Sequence, residues 1–260
     1  LETELLNSEG GAVEVINAGV PGRWVDEYYL DLKRRGLALD PDIVLVGVYI
    51  RNDLDGKDAR GHVWAEVDAE GLPVVVEFPE IRIENGREVR AIRKSRWKLP
   101  IIRDSHVAQL LYDAGKLVDQ GTRGRSVKNA HHYQEDIGPE AELAIDKVER
   151  LLVAMNDLAE ARGIRLVVML FPARDQLYPE NYEALVGLDI EKPQRDLTAF
   201  LRSRGIDTLD LLPALRAEKD TTQIHFDHDD HWDVGGHAVV ARAIAQHLRE
   251  ANYLPKREIP

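Results

Sequence analysis

The residues Asp229-Asp230-His231-Trp232 carry the types that acyl transfer needs. A general base must titrate near neutral pH, and histidine is the usual choice. Its second ring nitrogen needs a carboxylate to fix the tautomer. Residues i and i+2 of an extended loop point to the same side, so Asp229 can lie beside His231. By itself this tetrapeptide reads first as a solvated acidic loop with incidental histidines. Asn52 directly follows an apolar run, where a side-chain amide could donate to a developing oxyanion. An Asx turn ending a strand is the plainer reading of the same residue. Gly22 sits in Gly19-Val20-Pro21-Gly22. A glycine N–H there can approach a substrate closely, but Pro-Gly is first of all a turn. His225, Asp227, His228, Asp229 and His231 also form a dense nitrogen and oxygen set suited to zinc or manganese. Metal sites usually draw ligands from several elements, and elsewhere only His131-His132 offers a further cluster.

These residues must be positioned by the elements around them. Residues 1–8 read as the end of a helix stopped by Gly10-Gly11. Val13 to Asn17 reads as a short strand. Trp24, Val25, Tyr28, Tyr29 and Leu32 follow helical spacing, ended by Gly36. Asp42 to Tyr49 is a near-continuous apolar run, the mark of a strand buried on both faces. Helices are predicted over 140–162, 193–204 and 234–248, the last beginning through Gly235-Gly236, and strands over 164–171 and 206–211. The strands at 13–17, 42–49, 164–171 and 206–211 should form one parallel sheet with helices on both faces. Active sites of such sheets lie at the carboxyl ends of the strands. The Gly19–Gly22 turn, Asn52 and the Pro172-Ala173-Arg174 turn all directly follow strands in this reading, and the Asp229–His231 loop follows the last one at a longer distance. An insertion is predicted at about 54–138. It holds short alternating runs at 62–67, 74–78 and 81–83, a helix from Pro100 to Val118, and a polar tail from Gly121 to Asn129.

Bulk properties narrow the classes of function. With 260 residues, 44% of them hydrophobic and 31% charged, the chain reads as one folded domain, 1–260. A net charge of −12 argues against a nucleic-acid partner. The basic stretch Arg87 to Lys98 reads as a solvated face. The absence of cysteine excludes disulfides, thiolate catalysis and Cys-ligated zinc. No apolar run reaches the roughly 20 residues that span a bilayer. The chain opens on Leu1 inside a helical pattern, which reads as a cut end. A signal or anchor preceding Leu1 would make the protein extracytoplasmic.

Four segments in order, Val15-Ile16-Asn17-Ala18-Gly19-Val20-Pro21-Gly22, Pro41 to Gly47, Arg51-Asn52-Asp53, and Asp229-Asp230-His231-Trp232 with Gly236-His237, resemble three of the four conserved blocks of the SGNH/GDSL hydrolase superfamily. The resemblance implies a flavodoxin-like three-layer α/β/α sandwich with a parallel sheet, its first strand missing here, plus an insertion of β-hairpins and a helix. It implies a Ser–His–Asp mechanism on esters, with the serine in a Gly-Asp-Ser turn after the first strand. By the same resemblance the base falls on His231, and the oxyanion donors fall on Gly22 and Asn52. The usual aspartate three residues before the histidine is replaced by His228. Asp229, two before, resembles the Asp-x-His-Trp variant of relatives such as alginate acetyltransferases. The glycine often found two before the asparagine is Ile50.

No Gly-Asp-Ser occurs in the sequence, so the segment with the nucleophile is expected before Leu1 and the 260 residues alone are expected to be inactive. Ser8, Ser95, Ser105, Ser126 and Ser203 do not follow buried strands in the strained turn that such a nucleophile needs. The expected activity is ester hydrolysis or acyl transfer on a small-molecule or glycan ester, with no cofactor, no metal, no nucleic acid and no membrane span. Two alternatives remain: a metal-dependent hydrolase built on the His225–His231 cluster, and a non-catalytic binding module of the same fold. The insertion's aromatics, Trp64, Phe78, Trp97 and Tyr112, could line a cleft, though packing onto the core is the plainer role.

Overall fold

A computed structural model describes residues 1–9, 13–20, 23–54, 63–77, 81–84, 87–90, 130–227 and 229–254. Among them, in chain order, lie α1 (Glu2–Glu9), α2 (Val25–Arg34), β1 (Ile43–Tyr49), α3 (Ile50–Asp53), β2 (Val63–Val67), β3 (Pro73–Glu77), β4 (Ile81–Glu84) and β5 (Arg87–Arg90). Then follow α4 (Pro139–Glu160), β6 (Arg165–Phe171), α5 (Arg174–Leu177), α6 (Lys192–Ser203), β7 (Asp207–Asp210), α7 (Leu212–Glu218) and α8 (Val234–Glu250).

The apolar runs that read as doubly buried strands pair in parallel, in the order β1-β6-β7. Ile43 stands opposite Arg165 and Tyr49 opposite Phe171, while Val167 to Leu170 face Asp207 to Asp210. Side chains alternate across the pleat, so each strand feeds two cores. Leu166, Val168 and Leu170 of β6 join Val46 and Val48 of β1 in a cluster with Tyr29 of α2, Leu152 and Met155 of α4, and Leu197 and Leu201 of α6. Val167 and Met169 face the other way, onto Leu5 of α1, Leu212 and Leu215 of α7, and Val239, Val240 and Ile244 of α8. Leu152, Met155 and Leu215 are fully buried, each contributing roughly 1.5–3 kcal/mol relative to exposure. The result is an α/β/α arrangement of three layers.

Residues 13–17 do not form the expected strand. Val13 and Val15 turn toward the second core while Glu14 and Ile16 are exposed, so the alternation is real. A strand, however, is made by its ladder, and among the described residues these backbone groups have no strand beside them. Asn17 Oδ1 instead accepts the Gly19 N–H at 3.0 Å in a local turn. Gly36 does not end α2 as a left-handed cap. It opens a 3₁₀ turn, Gly36–Leu39, and Asp40 takes the positive φ of 50°.

Two antiparallel hairpins, β2–β3 and β4–β5, occupy the region read as an insertion. Trp64 packs against the first core, and its Nε1–H donates to Asp26 of α2 at 3.3 Å. That is the packing role for an insertion aromatic. β5 lies in the stretch read as a solvated basic face. Its Arg87 stands opposite Glu84 in the register of the hairpin. The helix expected over 100–118, the tail at 121–129, and Phe78, Trp97 and Tyr112 lie outside the described residues. Among the described residues no helix is long and apolar enough to cross a membrane.

Candidate active site

The three strands end on the same side, and each end turns into a short helix or loop bearing polar residues. After β1 the chain makes the single turn α3. Asp53 closes it, its Oδ2 accepting the Tyr49 N–H at 2.8 Å. Asp53 is only 7% exposed. Burial, with the charge of Asp26 adding to it, outweighs that hydrogen bond and pushes the Asp53 carboxyl up to about 7. The turn leaves Asn52 exposed and directs Arg51 inward. Burial likewise pushes the Tyr49 phenol up to about 12.

After β6, Pro172 and Ala173 lead into α5. Gln176 caps this turn through the Ala173 N–H at 2.9 Å, and its side-chain amide exchanges hydrogen bonds with Gln194 of α6 at 2.7 and 2.9 Å. The neighbouring Asp175 is fully buried. It meets Arg51 at 3.4 Å and accepts from the Tyr133 hydroxyl at 3.2 Å. Burial raises the Asp175 carboxyl, and the Arg51 charge opposes that rise.

After β7 the chain passes through α7 into the histidine-rich loop. Its base is an antiparallel bridge between His225 and Trp232, continued by Phe226 N–H donating to His231 O at 3.2 Å. Asp233 caps α8 by accepting the Gly236 N–H at 3.0 Å. A Cβ on Gly235 or Gly236 would overlap the carbonyl oxygen of Gln223 or Ile224. The two glycines therefore let the helix start lie directly against the loop. Trp232 packs edge-on against Phe171 at 5.0 Å, tying the loop to the end of β6.

Within this loop Asp229 bonds to the ring Nδ1 of His231 and accepts the His231 N–H at 2.9 Å. The backbone N–H first, then the ring, hold the Asp229 carboxyl below its usual range. With Nδ1 engaged, Nε2 is the nitrogen left for proton transfer. The His231 side chain is 85% exposed, so packing does not aim it. Asp230, the residue between, pairs with Arg51. Asn52 and His231 are each the next residue along from the two ends of that pair, so the pair brings their turns side by side. Gly22 lies outside the described residues.

Three of the residues that build this arrangement stood inside sequence motifs without a role: Arg51, Arg174 and Asp230. Asp175 and Tyr133 gave no local signal. His225 is buried, and among the described residues neither ring nitrogen has a hydrogen-bond partner. Burial, then the Arg174 charge, push its pKa down to about 4. Among the described residues no group of three or more His, Asp or Glu could hold a metal, which counts against the metal reading; His228 is outside them. Of the alternative serines, Ser203 donates locally to Phe200 O at 2.6 Å at the end of α6, where the chain leads into the amino end of β7 rather than out of a strand's carboxyl end. Ser8 falls in α1, and Ser95, Ser105 and Ser126 lie outside the described residues.

Residues 132–259, just under half of the chain, match the family model described as an SGNH hydrolase-like domain, acetyltransferase AlgX. That segment holds β6, β7 and the Asp229–His231 loop. Similar proteins include a probable alginate O-acetylase AlgJ of Pseudomonas aeruginosa, 36% identical over 95 residues, which are 36% of this chain and 24% of the relative. The probable alginate O-acetylase AlgJ of Azotobacter vinelandii is 27% identical over 109 residues, 42% of this chain and 28% of the relative. That of Pseudomonas syringae pv. tomato is 34% identical over 104 residues, 37% and 26%. The matches thus span about a quarter of the length of these curated relatives. No solved structure matches the chain.

Proposed function

We propose that this chain, SGNH-like in its blocks, its α/β/α fold and its matched segment, serves acyl transfer to or from a glycan hydroxyl, with an acetyl group as the acyl unit. The observation that carries the reading is the Asp229–His231 pair at the carboxyl end of a parallel sheet, held beside the turn that exposes Asn52. The acetyl group and the glycan are suggested by the relatives named as alginate O-acetylases. In this reading His231 Nε2 takes the proton of a serine hydroxyl as its oxygen attacks the acyl carbonyl. The Asn52 amide and the Gly22 N–H donate to the oxyanion that forms. The proton then passes to the departing alcohol, leaving an acyl-enzyme. A glycan hydroxyl or water, deprotonated by the same His231, takes the acyl group and restores the serine.

The serine of this mechanism comes from a segment outside the 260 residues. The 260 residues alone then give only trace turnover of short p-nitrophenyl esters. The test is esterase and acetyl-transfer activity of the protein that includes the natural upstream residues, with and without His231→Ala. Loss on the order of 10⁴-fold supports the reading. Activity that survives His231→Ala places the chemistry elsewhere, and activity removed by a chelator and restored by zinc revives the metal alternative.

A further inference from the structure

The His231 ring is solvent-exposed and sits on a loop in which, among the described residues, Phe226 N–H donates to His231 O at 3.2 Å and Asp229 N–H to Phe226 O at 3.4 Å. Neither burial nor regular structure fixes the direction of the base. Besides Arg51, one further side chain from another element reaches across. Arg174, the first residue of α5, donates from Nη1 to the carbonyl oxygens of Phe226 at 2.7 Å and Asp229 at 2.6 Å, and from Nη2 to that of Asp227 at 3.4 Å. Three carbonyls of one loop thus converge on one guanidinium. The planar fork suits this task, because it presents several N–H groups in fixed directions while a lysine ammonium presents a single point.

The far side of Arg174 is also fixed. Its guanidinium lies over the Tyr178 ring at 6.0 Å, and Tyr178 in turn meets the buried His225 ring edge-on at 6.0 Å. Arg174 hangs directly from the carboxyl end of β6, the central strand of the sheet. The position of the loop is thereby referred to the sheet. The Arg51–Asp230 pair anchors the same loop from the turn after β1, at Asp230, which is half exposed.

We propose that Arg174 is the positioning residue of the base: by gathering the carbonyls of Phe226, Asp227 and Asp229 it curls the loop so that Asp229 and His231 face each other and the ring faces the Asn52 turn. Arg174 touches neither substrate nor reacting atoms in this assignment. It rests on the proposed role of His231, and the experiment separates the two. In the whole protein, Arg174→Ala should lower kcat about 10- to 100-fold with KM for p-nitrophenyl acetate changed less than about twofold, since a misplaced base costs the chemical step and not binding. Arg174→Lys should recover little of the loss. Guanidinium chloride at tens of millimolar should restore part of the Arg174→Ala activity and none of that of His231→Ala. Independently of activity, the Nδ1-bound proton signal of His231 in the NMR spectrum should broaden or vanish in Arg174→Ala and in Arg174→Lys.

A raised KM with unchanged kcat would make Arg174 a substrate-binding residue and overturn the assignment. So would wild-type kcat per folded molecule with only a lowered melting temperature, or an unchanged His231 ring signal in a folded Arg174 variant. If His231→Ala keeps activity, the catalytic reading fails, while the ring signal still decides whether Arg174 aims His231.

Discussion

Asp53 holds the turn that presents Asn52, and it does so as a buried carboxyl near Asp26. Replacing it by asparagine keeps the shape and an oxygen to accept the Tyr49 N–H, but removes the charge. Its pKa rises from 3.8 toward about 7 in the folded protein. A raised folded pKa means that the native state binds more protons than the unfolded chain between those values. The stability this carboxyl contributes is thus fully present below about pH 4 and is lost as pH rises through about 7. Between pH 5 and pH 8 the wild type should lose roughly 3 kcal/mol through this one group, because stability falls by about 1.4 kcal/mol per pH step of one while only the unfolded chain is ionised. Asp53→Asn does not titrate there. The constant costs of the swap, such as a weaker bond to Tyr49 or an amide seeking an acceptor, cancel between the two pH values. The variant should therefore gain roughly 3 kcal/mol on the wild type in going from pH 5 to pH 8. Urea unfolding of both proteins at the two pH values measures this difference, and the other titrating groups drop out of it. A stability difference that is the same at both pH values would refute the burial argument for Asp53.

His132 and His225 should act in the opposite sense. Burial depresses both from 6.5 to about 4, so their stability is full above about pH 6.5 and is lost as pH falls toward 4; His132→Leu and His225→Leu should each move the acid-unfolding midpoint, followed by circular dichroism, to lower pH. Asn52→Ala in the whole protein should lower kcat by about 10²–10³, the usual effect of losing one oxyanion donor, and an unchanged kcat would remove Asn52 from that role. Gly236→Ala should cost on the order of 1–3 kcal/mol in thermal or urea unfolding, because its Cβ would overlap the Ile224 carbonyl and push α8 off the histidine loop; a neutral effect would mean that the contact yields freely.

The sheet was legible in the sequence because burial on both faces leaves a continuous apolar signature. Val44 to Val48 and Leu166 to Leu170 can be read as such strands without knowing their partners. The Asp229-x-His231 pair was legible for a related reason, since its two members stand two residues apart in one loop, although what turns them toward each other is not local. The run at 13–17 shows the limit of the same logic. Its alternation is a side-chain property and survives in the structure, whereas a strand is a property of hydrogen bonding to a neighbour, which no single segment encodes. What holds the candidate site together was not legible at all. Arg51 meets Asp230 across 179 positions and Arg174 reaches the loop carbonyls across more than 50. Arginines in a charged chain look alike until the fold chooses a partner for each. The carbonyls that Arg174 gathers belong to the backbone and leave no mark in the choice of side chains. Nor does the sequence reveal that His225 is buried and His231 exposed. Both stand in one polar run, and the difference appears only in the fold, where His225 bridges Trp232, itself packed on Phe171 at the end of β6, while the His231 ring lies in solvent.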